Sequence, residues 1–140
     1  MRNIDKEFGD LERWTRGMDR MLGSLFLREA ASNAWRPPTD VFETPDAVVI
    51  KVEIAGMRPE DFEIIFSDRI LQIRGARQDP QTKVKSHCLE IQYGEFVSEV
   101  YLPGTYAEER IQAKYEEGYL TIELPKVKPE PRNVSIMANL

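Results

Sequence analysis

The chain has 140 residues, of which 41% are apolar and 31% charged, with 9 Pro and 8 Gly. That suits one domain with short appendages, and it excludes a wholly disordered chain because a packed core is within reach. The 19 basic and 24 acidic residues leave a net charge of −5; divided after Arg36 and after Lys128 the parts carry +1, −6 and 0, so no part offers the basic face that nucleic acid needs.

In chain order, the first pattern is a stripe. Ile4, Phe8, Leu11, Trp14, Met18, Met21, Leu22, Leu25 and Phe26 recur at helical spacing. Gly9, Gly17 and Gly23 interrupt it, so short helical pieces suit it as well as one rod. The stripe either packs on the chain's own core or forms a self-association and client-contact surface. Its Met and aromatic content, side chains that adapt to irregular partners, favours the second use. The candidate contacts are Phe8, Leu11, Trp14, Met18, Met21, Leu22, Leu25 and Phe26.

Trp35-Arg36-Pro37-Pro38 ends any helix and forces extension. Beyond it the apolar period becomes two. Val48, Ile50, Val52 and Ile54 alternate, as do Phe62, Ile64 and Phe66, then Leu71 and Ile73, then Leu89, Ile91 and Tyr93, then Leu120, Ile122 and Leu124. These read as half-buried strands with one wet face. The separators are turn-like, and Glu116-Glu117-Gly118 reads as a three-residue hairpin loop with Gly118 in the left-handed region. Many short strands with no helix between them predict an antiparallel, immunoglobulin-like β-sandwich. Residues 1–36 form an arm, 37–128 the sandwich and 129–140 a tail.

Two segments do not fit a closed sandwich. Residues 78–86 are polar, contain Pro80 and are long for a hairpin loop. In the tail, Pro129 and Pro131 keep the chain extended, and Val134 and Ile136 then share one side of a strand. An apolar pair on a polar tether needs somewhere to dock.

Chemistry is limited by inventory. His87 and Cys88 are the only His and Cys; they are adjacent in a stretch that reads as extended, so they point to opposite faces and cannot act as a pair. One cysteine makes no internal disulfide, and a zinc site lacks ligands. The pairs Glu108–Glu109 and Glu116–Glu117 sit in hydrophilic turns rather than a desolvated cleft. Phosphate-cradling glycine loops and the common hydrolase motifs are missing from the sequence. The expectation is a protein that is not an enzyme, with no cofactor and no metal. No run approaches the roughly 20 apolar residues of a membrane span, and the acidic start at Asp5, Glu7 and Asp10 does not read as a secretory signal. A cytoplasmic location is expected.

Over essentially its whole length the chain resembles the small heat-shock proteins, the α-crystallin-domain chaperones, in their bacterial form. Trp35-Arg-Pro-Pro-Thr-Asp40-Val41-Phe-Glu43 resembles the family's lead-in to its first strand. Ala55-Gly56-Met-Arg-Pro-Glu60-Asp61 resembles a turn after the second. Tyr93-Gly94-Glu-Phe96 with Leu102-Pro103 resembles its long strand. Ala113-Lys-Tyr-Glu-Glu-Gly118-Tyr-Leu120, running to Leu124-Pro125-Lys126, resembles its late signature. Val134-Ser135-Ile136 resembles its tail motif. Two positions depart: Ser98 stands where the family usually has Arg, which removes a charge contact of its dimer interface, and Tyr119 stands where it has Val, with a bulk that bears on a sheet edge.

The resemblance implies an ATP-independent holdase for unfolded or partly folded clients, stored as a homo-oligomer built from dimers. It implies that Lys83, Val84 and Lys85 form a short strand that pairs with a second subunit. Val134 and Ile136 would dock as an added strand in a neighbour's groove, lined by Phe62, Ile64, Phe66, Ile111, Ala113 and Tyr115, positions that read equally well as core. The alternative is a co-chaperone-like sandwich adaptor that binds one folded partner and needs neither arm nor tail. A carbohydrate-binding sandwich would instead need Trp14, Trp35 and the tyrosines on an exposed platform.

Overall fold

In a computed structural model, residues 33–127 and 131–139 are described. The stripe from Ile4 to Phe26, with its candidate client contacts, lies outside them, as does Pro129. Among the described residues the chain forms β1 (Thr39–Glu43), β2 (Ala47–Glu53), β3 (Phe62–Ser67), β4 (Ile70–Arg77), β5 (Gly94–Tyr101), β6 (Gln112–Glu116) and β7 (Tyr119–Pro125). One sheet has the order β1-β2-β7-β6 and the other β3-β4-β5, all pairs antiparallel. This is the expected all-β sandwich.

Alternation explains the core. Val48, Ile50 and Val52 on β2 lie opposite Leu124, Ile122 and Leu120 on β7, and these six are buried. Leu71 and Ile73 on β4 meet Val100 and Ser98 on β5, and Phe96 is fully enclosed beside them. Apolar side chains from both inner faces thus leave water together, which is the main stabilising term of such a sandwich.

Polar Ser98 on that inner face is satisfied locally. Thr39 Oγ1 donates to the Pro37 carbonyl at 2.9 Å and lies 2.8 Å from Ser98 Oγ, so Ser98 donates to Thr39. Arg36 Nε donates to Ser98 Oγ and Arg36 Nη2 to the Glu99 carbonyl, each at 3.4 Å. A guanidinium from the segment before β1 therefore reaches the position where the resembled family carries its own Arg. Tyr119 is on β7, which lies between β2 and β6, so its bulk does not meet a sheet edge. Its ring covers the wet face under Lys51 Nζ, 4.4 Å from the ring centre.

Residues 89–93 are not a strand, contrary to their alternation. Leu89 and Ile91 are both 66% exposed. The reason lies in β4, whose last residue, Arg77, pairs with Gly94, the first of β5. Residues before Gly94 run past the end of the sheet and have no strand to bond. His87 and Cys88 are likewise exposed and outside any strand.

The hairpin turns are tighter than expected. Glu116 pairs with Tyr119, so the loop is two residues, Glu117 at φ 52° and Gly118 at φ 83°. Ser67 pairs with Ile70 across Asp68 at φ 52° and Arg69 at φ 66°. Both have the two left-handed residues of a type I′ turn, whose twist suits a hairpin. Arg69 bears a Cβ strain that glycine would not. Arg69→Gly is expected to raise the melting temperature by about 2–5 °C, for a net gain of about 0.5–1 kcal/mol after the unfolded-state entropy of Gly. An unchanged or lower melting temperature in a calorimetric scan would show that the turn carries no such strain.

Candidate functional site

β3 has β4 as its one sheet neighbour and β6 has β7, so both are edges, and the sandwich brings them to the same side. Between them runs an apolar groove of about 170 Å³ lined by Pro59, Phe62, Ile64, Ala113, Tyr115 and Leu120. Odd and even positions explain the lining: Phe62 and Ile64 share one face of β3, Ala113 and Tyr115 one face of β6. The turn before β3 is a 3-10 helix, Pro59–Asp61, closed by Asp61 Oδ2 accepting from the Arg58 N–H at 2.9 Å. It presents Pro59 at the groove mouth.

Tyr115 forms the groove wall rigidly. Its hydroxyl donates to the Ile54 carbonyl at 2.8 Å and accepts from the Met57 N–H at 3.3 Å. Its ring centre lies 5.1 Å from that of Phe62. On the opposite face of β3, Arg74 Nε donates to Glu63 Oε2 at 2.9 Å. That hydrogen bond holds the Glu63 carboxyl below its usual range and raises Arg74, in a pair exposed enough to contribute little.

Four of the six expected groove residues, Phe62, Ile64, Ala113 and Tyr115, are therefore brought together. Phe66 lines a separate cavity near the β3–β4 turn with Tyr106 and Pro103, and Ile111 packs half-buried against the core. Phe62, Ile64 and Tyr115 also pack on the core, so they serve as core and groove at once. Pro59 and Leu120 were not expected. Pro59 belongs to a turn, and Leu120 reads simply as core.

The two other expected elements stand out from the sandwich. Val134 is 81% exposed and Ile136 96%, on a tail without strand partners. Val84 is fully exposed, with Lys83 and Lys85 flanking it, and residues 78–93 make no strand within this chain. Among the described residues no helix is long and apolar enough to cross a membrane. Among the same residues no group of three or more His, Cys, Asp or Glu converges as a metal site would require.

Known proteins place this arrangement. A model described as the Hsp20/alpha crystallin family matches residues 40–137. The small heat shock protein C2 of Rickettsia felis is 34% identical over 92 residues, covering 64% of this chain and 60% of that protein. The 17.7 kDa class I heat shock protein of Oryza sativa is 34% identical over 124 residues, covering 84% of this chain and 77% of its own length. Among solved structures, a small heat-shock protein from Xylella fastidiosa superposes with a TM-score of 0.65 at 30% identity, over 74% of this chain and 98% of that one. Heat shock protein 16.0 from Schizosaccharomyces pombe gives 0.61 at 28% identity, over 74% and 98%. The chain belongs to the Hsp20/alpha crystallin family.

Proposed function

We propose that this member of the Hsp20/alpha crystallin family is an ATP-independent holdase: it binds non-native proteins, slows their aggregation and is stored as an oligomer built from dimers. The family supports the chaperone role. The observation that carries the storage reading is the pairing, within one chain, of an exposed Val134 and Ile136 with an open apolar groove between two sheet edges. The mechanism is mass action. A protein that binds the unfolded ensemble of a client withdraws it from aggregation without doing work on it. Nucleotide has no part in that, in keeping with a sequence that lacks a phosphate loop. With a heated client, the full chain is expected to suppress light scattering equally with and without ATP. Removal of residues 1–34 should abolish most of the protection. Full protection by the truncated chain would move the client surface from the arm to the sandwich.

The tail is proposed as an assembly latch. Seated in a neighbour's groove, Val134 and Ile136 add a strand to an edge and bury two β-branched side chains. Each contributes about 1.5–3 kcal/mol before ordering costs. One such contact is transient, and several in one assembly reinforce each other through effective concentration. Changing both to Ala should remove about 2–4 kcal/mol of burial per tail. Light scattering across a dilution series should then show dimers at concentrations where the wild type is large, with domain melting unchanged. Wild-type mass at low micromolar concentration would end the latch reading.

The excursion is proposed as the dimer element, and elimination supports its target. The outer edge of β5 is bridged near its start by Trp35, whose N–H donates to the Glu95 carbonyl and whose carbonyl accepts from the Val97 N–H, both at 3.0 Å. β3 and β6 flank the groove. β1 remains, with Asp40 on it, Glu43 paired to Lys126 Nζ at 3.0 Å, and Phe42 46% exposed. Lys83-Val84-Lys85 of a second copy complements that edge in charge and in apolar contact. Deleting residues 79–85 should leave a folded monomer, and an unchanged dimer by sedimentation would contradict the pairing.

A further inference from the structure

Residues 78–93 leave β4 at Arg77 and rejoin the sheet at Gly94, and these two residues pair with each other. A connection of that length without strand partners has many conformations to lose. Its two feet are nevertheless held by a single side chain. Arg77 Nε donates to the Gln92 carbonyl at 3.0 Å, and Nη1 donates to the Ala55 carbonyl at 3.3 Å. The guanidinium carbon lies 4.7 Å from the Trp35 ring centre and 5.3 Å from that of Tyr93. Trp35 Nε1 donates to the Gly94 carbonyl at 3.2 Å, which ties the second foot to the same ring. Farther out, Lys83 Nζ sits 5.5 Å from the Tyr93 ring centre and pairs with Asp79. A planar fork of donors reaches two carbonyls while lying flat on aromatic faces, a geometry that the point charge of an ammonium matches less well.

We propose that Arg77 is a positioning residue for subunit pairing: its guanidinium clamps both feet of the excursion against Trp35 and so sets the direction in which residues 83–85 meet a second copy. The proposal rests on the reading that the excursion is the dimer element. A loop ordered before contact loses less freedom on contact, so the clamp strengthens pairing without touching the partner. Trp35 directly follows residues 1–34, so the same clamp fixes where the arm leaves the sandwich. The sandwich core does not depend on it. Apart from Trp35, which packs at the core's margin, the contacts of the guanidinium lie at the turn after β2 and the end of the excursion.

The test uses the full chain in a Trp14→Phe background, so that Trp35 alone fluoresces. Sedimentation velocity over a dilution series reads the concentration at which half of the mass is monomer. Arg77→Met keeps the apolar stem and removes the fork. It should raise that concentration roughly tenfold or more and shift Trp35 emission, with the domain's melting temperature nearly unchanged. Arg77→Lys keeps the charge and should fall between the two. If Arg77→Met does not fold, Tyr93→Leu carries the same test from the surface and should also weaken pairing. A wild-type midpoint for whichever of these two folds overturns the clamp. The chain lacking residues 79–85 separates the two readings. Should it still pair, the excursion is not the dimer element and the clamp proposal fails with it. Should it be monomeric while Arg77→Met pairs normally, only the clamp fails.

Discussion

Two stacked sheets have four edge strands, here β1, β6, β3 and β5, and each edge presents backbone groups that seek partners. The covering of those edges governs the rest of the molecule. The segment at Trp35 pairs with β5 through its main chain and covers the start of that edge from within. β3 and β6 come together across the sandwich and convert two edges into one groove, floored by Phe62, Tyr115 and Leu120. β1 stays open. Exposed edges in a lone domain invite unregulated pairing. The excursion and the tail carry exposed Val84, Val134 and Ile136 on polar tethers, and they are the segments proposed above for the remaining edges.

How far these features were legible depends on how much each strand buries. β2, β3, β4 and β7 show plain alternation, because one face of each meets the core: Val48, Ile50 and Val52, or Leu120, Ile122 and Leu124. β5 hid its pattern. Its inner face carries Ser98 between Phe96 and Val100, and Glu99 on the opposite face is buried too, with Gln72 Nε2 donating to its carboxylate at 2.8 Å. β1 and β6 bury little, and only the resemblance to a family marked them. Residues 89–93 show the converse error. Alternation describes what a strand would bury but not whether a partner strand is in reach, and β4 had already ended. In the groove, Phe66 and Ile111 continue the period of Phe62, Ile64, Ala113 and Tyr115. Whether they open to solvent depends on the spacing between sheets, which is a property of the whole core. Arg77 carried no local signal at all, since Trp35, Ala55, Gln92 and Tyr93 are scattered along the chain.

The core and the proposed contacts between copies differ in energy scale. Among the described residues, eleven large apolar side chains are buried completely. The contacts proposed between copies are single strands and two tail residues, each a matter of about 0.5–3 kcal/mol. On that proposal the contacts between copies give way before the sandwich does.

The two surfaces proposed for assembly are also joined through the core. Trp35 lies 5.8 Å from Phe96, Phe96 lies 6.0 Å from Phe62, and Phe62 lies 5.1 Å from Tyr115, centre to centre. The rings run without a gap from the foot of the excursion to the wall of the groove. Contact alone does not make such a chain a switch; that requires an element with two discrete arrangements. Phe96 argues against one. It is fully enclosed, and a Cβ placed on Gly75 would stand 2.8 Å from its Cζ and 2.5 Å from the Asp61 carbonyl, so the ring occupies space that only glycine leaves free. A ring held this closely fixes the relative orientation of excursion and groove instead of relaying changes between them. In the assembly proposed above, the core then sets the angle between the excursion and the groove.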